Sequence, residues 1–174
     1  MGDHYDKVTE DQDPIKRIAS KIPGFGGYIE RENRRNADKL LRESTADRFQ
    51  GLWKRITEIQ KDLAGQSNLE FLDDLENAAM KVQTFIDKIS TASYGQSSFF
   101  DAVKIDEEEL AALYNFDLAL LSSSDEVERA VDNVNTSIGE EGLPAAVSHL
   151  VTVSRELVSA FEQRSEAIMA SAAE

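Results

Sequence analysis

Two successive stretches of this chain carry apolar residues at intervals of three and four positions. The spacing repeats about every 3.5 residues, which is typical of helices that pack along a common seam as in a coiled coil. Only a short segment separates the stretches, so we predict an antiparallel helical hairpin. The apolar positions are Phe49, Leu52, Ile56, Ile59 and Leu63, widened by Trp53, in the first stretch, and Leu72, Leu75, Ala79, Val82, Ile86 and Ile89 in the second.

Glycine and serine residues mark the expected turn of this hairpin. The first helix is predicted over about residues 28–64, and Gly65 after it is suited to the left-handed conformation that often ends a helix. Ser67 is followed three positions later by Glu70, which is the pattern of a capping box at the start of a helix. We therefore predict that Ser67 caps the second helix of the hairpin.

Three further helices are predicted in the second half of the chain, and a serine run at 122–124 is expected to separate the first two. No segment alternates apolar and polar residues over the length of a strand. The chain is thus predicted to be all-α: an antiparallel helical bundle of about five helices with a long, coiled-coil-like N-terminal helical hairpin. The supporting positions are Leu110, Leu113, Tyr114, Leu118 and Leu121, then Val127, Ala130, Val131, Val134 and Ile138, and last Val147, Val151, Ser154, Val158, Phe161, Ser165 and Ile168.

The composition is that of a globular protein with few reactive side chains. Of the 174 residues, 41% are hydrophobic and 30% are charged, which is the balance of an ordinary folded domain. The absence of cysteine excludes disulfides, thiolate metal sites and thiol nucleophiles. No apolar run reaches the roughly 20 residues that span a bilayer, and the N-terminus is too acidic for a secretory signal. We expect a cytoplasmic protein, with the inner membrane surface as an alternative.

The motifs that common enzymes and cofactors require are absent from the sequence. A di-iron bundle needs Glu-x-x-His on two helices, but neither His4 nor His149 has a glutamate three positions before it. Two histidines without cysteine also disfavour a structural zinc site. The glycine-rich run at 24–27 follows no strand and precedes no Gly-Lys-Ser/Thr, as a phosphate-binding loop would require. We therefore predict no enzymatic activity, no metal, no cofactor and no small-molecule substrate.

The segment over residues 14–27 combines a short apolar stripe with basic residues and ends in a glycine turn. The whole chain has a net charge of −14, whereas residues 15–62 are net positive. Such an asymmetry bears on partners rather than on fold. The candidate docking residues are Ile15, Ile18, Ile22 and Phe25 on the stripe, Lys16, Arg17 and Lys21 beside it, and Arg31, Arg34 and Arg35 in the arginine-rich stretch that follows.

Three roles for this segment are open at the level of sequence. As an interfacial helix it enters a lipid surface or a protein groove, and its three basic residues contribute about 1 kcal/mol each near an anionic leaflet. In the second role, basic residues of the stretch that follows neutralise the phosphates of a nucleic acid, although interleaved acids such as Glu30 and Asp38 can pair with them within the helix. These basic residues are Arg31, Arg34, Arg35, Lys39 and Arg42. In the third role, the isoleucines pack on the bundle and the arginines pair with its acidic helices.

The sequence divides into an acidic tail over 1–13 that we expect to be disordered, the basic amphipathic segment over 14–27, and a single helical-bundle domain over 28–174. We interpret the protein as a non-catalytic interaction or scaffold protein that acts through helical surfaces, with a protein partner or a second copy of itself. The alternative is a peripheral protein that docks on an anionic membrane through residues 14–27. The acidic body and the missing motifs make a nucleic-acid binder or an enzyme less favoured.

Overall fold

The described residues of this chain fold into α-helices and the turns between them. The computed structural model describes residues 13–30, 34–92 and 107–171, and within these ranges it has no β-strand. The all-α prediction is therefore confirmed. The predicted acidic tail, apart from Asp13, lies outside the described residues. The helices are α1 (Pro14–Lys21), α2 (Phe25–Glu30), α3 (Arg34–Gly65), α4 (Leu72–Thr91), α5 (Glu107–Thr136) and α6 (Leu143–Ser171).

Four long helices form the bundle as two helical hairpins. The first hairpin is α3 with α4 and the second is α5 with α6, and both α3 and α6 pack against α4 and α5. The helices α3 and α5 run in the same direction, because Arg48 pairs with Asp125 at 3.2 Å and Arg55, two turns later, pairs with Glu128 and Asp132. Helices that follow one another along the chain in each hairpin are antiparallel, as predicted.

The seam of the first hairpin is formed by the residues whose spacing predicted it. Every residue of the first apolar stripe except the half-buried Trp53 is buried, and so are those of the second stripe except Leu72, which is half-buried. An aromatic stack carries the seam into the centre of the bundle, since Phe85 meets Phe49 and Phe161 edge to face with ring centroids 4.6 and 5.9 Å apart. Complete burial of one such side chain contributes about 1.5–3 kcal/mol, so apolar packing on this seam holds the hairpin together.

The serine run at 122–124 does not separate two helices, and that prediction is wrong. The helix α5 continues through the run without interruption. The hydroxyl groups of Ser123 and Ser124 donate hydrogen bonds to the carbonyl oxygens of Leu120 and Leu121, each at 2.6 Å. Because these hydroxyls are satisfied within the helix, they do not compete with its backbone hydrogen bonds. Buried residues on both sides of the run then hold α5 in the bundle.

The turn of the first hairpin is built differently from the prediction. The helix α3 ends at Gly65 as expected, but the left-handed residue is Ser67, with φ +59°. The amide of Ser67 donates to the carbonyl of Ala64 and the amide of Asn68 to the carbonyl of Leu63, both at 3.0 Å. These two hydrogen bonds form a Schellman motif, which satisfies carbonyl groups at the end of α3.

The second helix of the hairpin begins without the predicted capping box. Its N-cap is Phe71, which makes no side-chain cap hydrogen bond. Two acids in the first turn, Asp73 and Asp74, interact favourably with the positive end of the helix dipole. The predicted capping role of Ser67 is therefore wrong, because this residue ends α3 and does not begin α4.

The predicted helix over residues 28–64 is divided in the structure. Its residues up to Glu30 belong to α2 and those from Arg34 onward belong to α3, and the two pack against each other, so they are not one straight helix. The chain turns between α1 and α2 at Gly24, whose φ of +86° is a conformation that other residues adopt at a cost. The helix α1 packs against α5, and α2 packs against α3. The N-terminal segment therefore covers one side of the bundle, where α3 and α5 meet.

Candidate functional site

The basic amphipathic segment packs on the bundle through its apolar stripe. The side chains of Ile18, Ile22 and Phe25 are buried, and Phe25 meets Tyr114 edge to face with ring centroids 5.9 Å apart. They form a second hydrophobic cluster beside the main core, so the chain itself covers the stripe. The other buried members of this cluster are Ala37 and Leu41 on α3 and Tyr114, Leu118 and Leu121 on α5.

Polar contacts at both ends hold α1 in this position. Asp13 caps the helix, because its Oδ1 accepts a hydrogen bond from the amide of Ile15 at 2.9 Å. At the other end, Lys21 Nζ lies 3.4 Å from Asp125 Oδ2, and the same carboxylate binds Arg48. These ion pairs are partly exposed, so each contributes at most about 1 kcal/mol. The apolar contacts are therefore the main attachment of α1.

The remaining candidate docking residues lie at the surface or beyond the described side chains. Ile15 is half-buried, while Lys16 and Arg17 are exposed. None of the helices in the described ranges combines the length and the apolar character needed to cross a bilayer. The arginine-rich stretch contributes Arg34 and Arg35 to the first turn of α3, where the structure does not describe their side chains, and Arg31 lies outside the described residues.

Four charged side chains from three helices meet inside the bundle. We call them the ion cluster: Asp38 and Arg42 on α3, Asp117 on α5 and Arg164 on α6. Arg164 donates a hydrogen bond from Nε to Asp117 Oδ1, and its Nη2 lies 3.7 Å from Asp38 Oδ1. Arg42 Nε donates to Asp38 Oδ2 at 2.9 Å. No member is more than 8% exposed, and the two positive and two negative charges balance.

Burial and neighbouring charges act in opposite directions on Asp117. Removal from water raises the pKa of its carboxyl above the ordinary value of 3.8, the charge and hydrogen bond of Arg164 lower it, and Asp38 raises it again. The net direction is upward. For Arg164, burial lowers the pKa, but the nearby carboxylates of Asp117 and Asp38 raise it by more than burial lowers it. The net direction is upward, so the guanidinium stays charged. Asp117 is thus a member of the cluster whose charge responds to pH.

The ion cluster has a structural role, because its ion pairs connect α3, α5 and α6 in the interior of the bundle. In the described part of the chain, Arg164 Nη1 and Ser154 Oγ are buried without a hydrogen-bond partner. A buried polar group without a partner costs about 1–3 kcal/mol, so Arg164 Nη1 reduces the net stability that the ion cluster contributes. The described residues contain no convergent set of three His, Asp or Glu side chains that could ligate a metal.

The position of Arg164 in the sequence is that of a core residue, although a charged side chain is not expected there. It lies three residues after Phe161 and seven after Leu157, both of which are buried, so it occupies a seam position of α6. The predicted stripe on this helix is displaced by one residue at three places. The half-buried residues Val151, Val158 and Ser165 were assigned to the core, where the structure buries Leu150, Leu157 and Arg164.

The outer side of the first hairpin carries an apolar groove between α3 and α4. Met80 is 61% exposed, and the indole of Trp53 is half-buried beside it. Leu69, in the turn of the same hairpin, is 64% exposed. We call this feature the hairpin groove. Its lining is formed by Trp53, Thr57 and Gln60 from α3 and by Leu72, Glu76, Ala79, Met80 and Gln83 from α4.

The hairpin groove follows a second seam on α3. Its positions recur at the three- and four-residue intervals of the first seam, but they lie on a neighbouring face of the helix. Several of them are polar, so a search for apolar residues alone does not find this seam. The positions are Ala46, Gln50, Trp53, Thr57, Gln60 and Ala64.

The two edges of the hairpin groove carry opposite charges. The edge on α3 has the exposed residues Lys54 and Lys61, and the edge on α4 has the exposed residues Asp73 and Glu76. Within the described residues, none of these four is in an ion pair. On the other side of α3, by contrast, Arg55 is paired with two acids of α5. The charges beside the groove are therefore available to a partner.

Comparison of the chain with protein-family models, with curated proteins and with solved structures finds no match. What the protein can do therefore follows from its own geometry. The ion cluster and the second hydrophobic cluster are covered by the chain, whereas the hairpin groove is open to solvent. Of these three features, the groove is the one that can contact another macromolecule without unfolding part of the bundle.

Proposed function

We propose that this chain is a non-catalytic interaction protein that binds a helical partner in the hairpin groove. The observation that carries the proposal is the exposure of Met80 next to the half-buried indole of Trp53, in a groove between two well-packed helices. Contiguous apolar surface is a feature of interaction sites, and Trp53, Leu72 and Met80 line one groove here. Aromatic residues and methionine are also enriched at protein interfaces, and methionine adapts its shape to a partner.

A helix is the partner shape that fits this groove best. Two antiparallel helices leave a long furrow between them, and a third helix with the same repeat can insert its apolar residues there. Trp53 and Met80 lie near the middle of the hairpin and serve as anchors, each contributing up to about 1.5–3 kcal/mol on complete burial. Gln60, whose Nε2 donates to the carbonyl of Leu72 at 3.4 Å, keeps the groove polar at one end and so orients the partner.

Membrane docking through residues 14–27 has less support from the geometry. To enter a lipid surface, Ile18, Ile22 and Phe25 would have to leave the second hydrophobic cluster. Lipid would cover these three side chains again, but the apolar side chains of α3 and α5 beneath them would become exposed. Each such side chain costs about 1.5–3 kcal/mol when fully exposed, against about 1 kcal/mol gained for each basic residue near an anionic leaflet.

Photo-crosslinking from the groove in the cell of origin tests the proposal. A benzophenone amino acid replaces Gln83 in the hairpin groove, and the matched control replaces Gln163 on the exposed surface of α6. We expect adducts of defined mass from position 83 that are absent from position 163. Met80→Lys in the same chain should abolish them, because it puts a charge at the apolar centre. No adduct from position 83, or the same adducts from both positions, would contradict the proposal.

A further inference from the structure

The hairpin groove has the features of a surface that binds a copy of itself, and this inference rests on the function proposed above. We propose that the helices bound in the groove are α3 and α4 of a second copy, packed face to face about a two-fold axis parallel to the helices. In this arrangement α3 of each copy lies on α4 of the other. Every contact then occurs twice, as in any two-fold interface.

The register within the hairpin determines which residues are level with one another. Phe49 contacts Phe85, and Gln60 contacts the backbone of Leu72. Because α3 and α4 are antiparallel, Lys61 is level with the start of α4. Positions nearer the N-terminus of α3 are level with positions nearer the C-terminus of α4. A two-fold axis parallel to the helices preserves these levels, so the same pairs of positions face each other across the two copies.

This register brings unlike charges together across the interface. Lys61 of one copy faces Asp73 of the second copy at the start of α4, and Lys54 lies within reach of Glu76 of the second copy. All four side chains are exposed, and the described residues provide no ionic partner for any of them. Pairing of unlike charges of this kind sets the orientation and register of an interface.

The same charges disfavour the other two-fold arrangement of the hairpins. An axis across the helices would place α4 against α4, so Asp73, Glu76 and Asp87 of the two copies would lie near one another. Like charges brought together in an interface act against the wrong pairing. The charge pattern of the two edges therefore selects the axis parallel to the helices.

The size and the centre of this face suit a specific interface. The 20 residues of α4 extend about 30 Å, and two adjacent helices are about 20 Å wide. Such a face of about 600 Å² on each copy gives about 1,200 Å² in total, which is the lower end of the range for specific complexes. Trp53 and Met80 lie near its middle, where the residues that dominate binding energy are concentrated.

Sedimentation equilibrium of the full chain tests the arrangement. The wild type is expected to show a monomer–dimer equilibrium built on the monomer mass of 19.4 kDa. Lys61→Glu should raise the dimer Kd by about tenfold or more, because two attractive pairs become repulsive. Adding Asp73→Lys to the same chain should restore the wild-type Kd. Arg129→Glu, which makes the same change of charge on the exposed surface of α5, should leave the Kd unaltered.

Two results would overturn the inference: a single species of monomer mass at every concentration, or a dimer whose Kd is unaffected by Lys61→Glu. The fate of the proposed function is read separately from the crosslinking at position 83. A monomeric chain that forms adducts with a different protein keeps the hairpin groove as a binding site and removes the second copy as its occupant. A monomeric chain without adducts removes both.

Discussion

Arg164 on α6 donates a hydrogen bond from its Nε to Asp117 on α5, and the two side chains are only 2% and 6% exposed. Asp38 on α3 approaches the same guanidinium at 3.7 Å, so one side chain connects three helices. Charges at such depth lose their hydration, and each depends on the other for compensation. A substitution that removes one of these charges therefore leaves its partner buried and uncompensated.

Arg164→Leu is expected to destabilise the fold by about 3–5 kcal/mol, because it leaves the Asp117 carboxylate buried without its cation. The double variant Arg164→Leu with Asp117→Leu should recover most of this loss, since apolar groups then fill the same volume. Urea unfolding of the wild type and both variants measures the three free energies. A single variant within about 1 kcal/mol of the wild type would mean that the pair contributes no more than a surface ion pair.

The contribution of Asp117 to stability is expected to fall as the pH rises. Burial raises its pKa in the folded chain above the 3.8 that holds for an ordinary carboxyl. The folded state therefore keeps a proton on Asp117 at pH values where the unfolded state has lost it. The free energy of unfolding then decreases as the pH rises from 3.8 through the folded pKa.

Asp117→Asn is the matched variant for this pH dependence. Asparagine does not titrate, and the wild type and the variant have all their other carboxyl groups in common. The free energy of unfolding of the wild type minus that of the variant should decrease as the pH rises from 3.8 through the folded pKa of Asp117. Chemical unfolding at a series of pH values measures this difference. A difference that stays constant or grows with pH would show that the pKa of Asp117 is not raised.

Ser67→Gly is expected to stabilise the chain by about 0.5–1 kcal/mol. The left-handed conformation at φ +59° costs a residue with a Cβ about 1–2 kcal/mol, and the greater freedom of glycine in the unfolded chain cancels part of the gain. Thermal or urea unfolding measures the change. Ser159→Gly is the control, because the same substitution on the exposed surface of α6 should lose about 0.5–1 kcal/mol. A loss of stability at position 67 would contradict the Schellman turn.

The first hairpin could be predicted because its seam is a local repeat, readable from neighbouring positions such as Leu52 and Ile56. The ion cluster could not, since Arg164 and Asp117 are 47 residues apart and occupy seam positions where the apolar pattern expects hydrophobic residues. The capping prediction for Ser67 fails because a left-handed serine and a capping serine look alike in sequence. Backbone conformation, rather than residue type, distinguishes the two.

The two surface features differ in how far the sequence could define them. The amphipathic stripe of α1, with Ile18 and Ile22, was recognised, but such a stripe does not say what covers it, and packing on the bundle was one of three alternatives. The spacing predicts that Trp53 widens the core seam, and its indole does pack against the main core, but it also borders the hairpin groove. Because Thr57 and Gln60 complete that lining, no run of apolar residues marked the groove.

The helix α1 is expected to stay on the bundle in the presence of anionic vesicles, because its isoleucines are already buried there. In co-sedimentation with vesicles rich in phosphatidylserine, the full chain should remain in the supernatant at physiological salt. The variant with Ile15→Asp and Ile18→Asp should behave in the same way. Binding by the wild type that this double substitution abolishes would instead favour the membrane alternative.

The most direct test of the central claim uses disulfide formation between two single-cysteine chains, which the absence of native cysteine makes unambiguous. Lys61→Cys chains are mixed with Asp73→Cys chains under mild oxidation, and the covalent dimer is quantified by electrophoresis. The two-fold packing of hairpin grooves requires more covalent dimer in the mixture than in either chain alone, and more than in a control mixture of Asp73→Cys with Arg129→Cys. Equal yields in all samples, or no covalent dimer in the mixture, would contradict it.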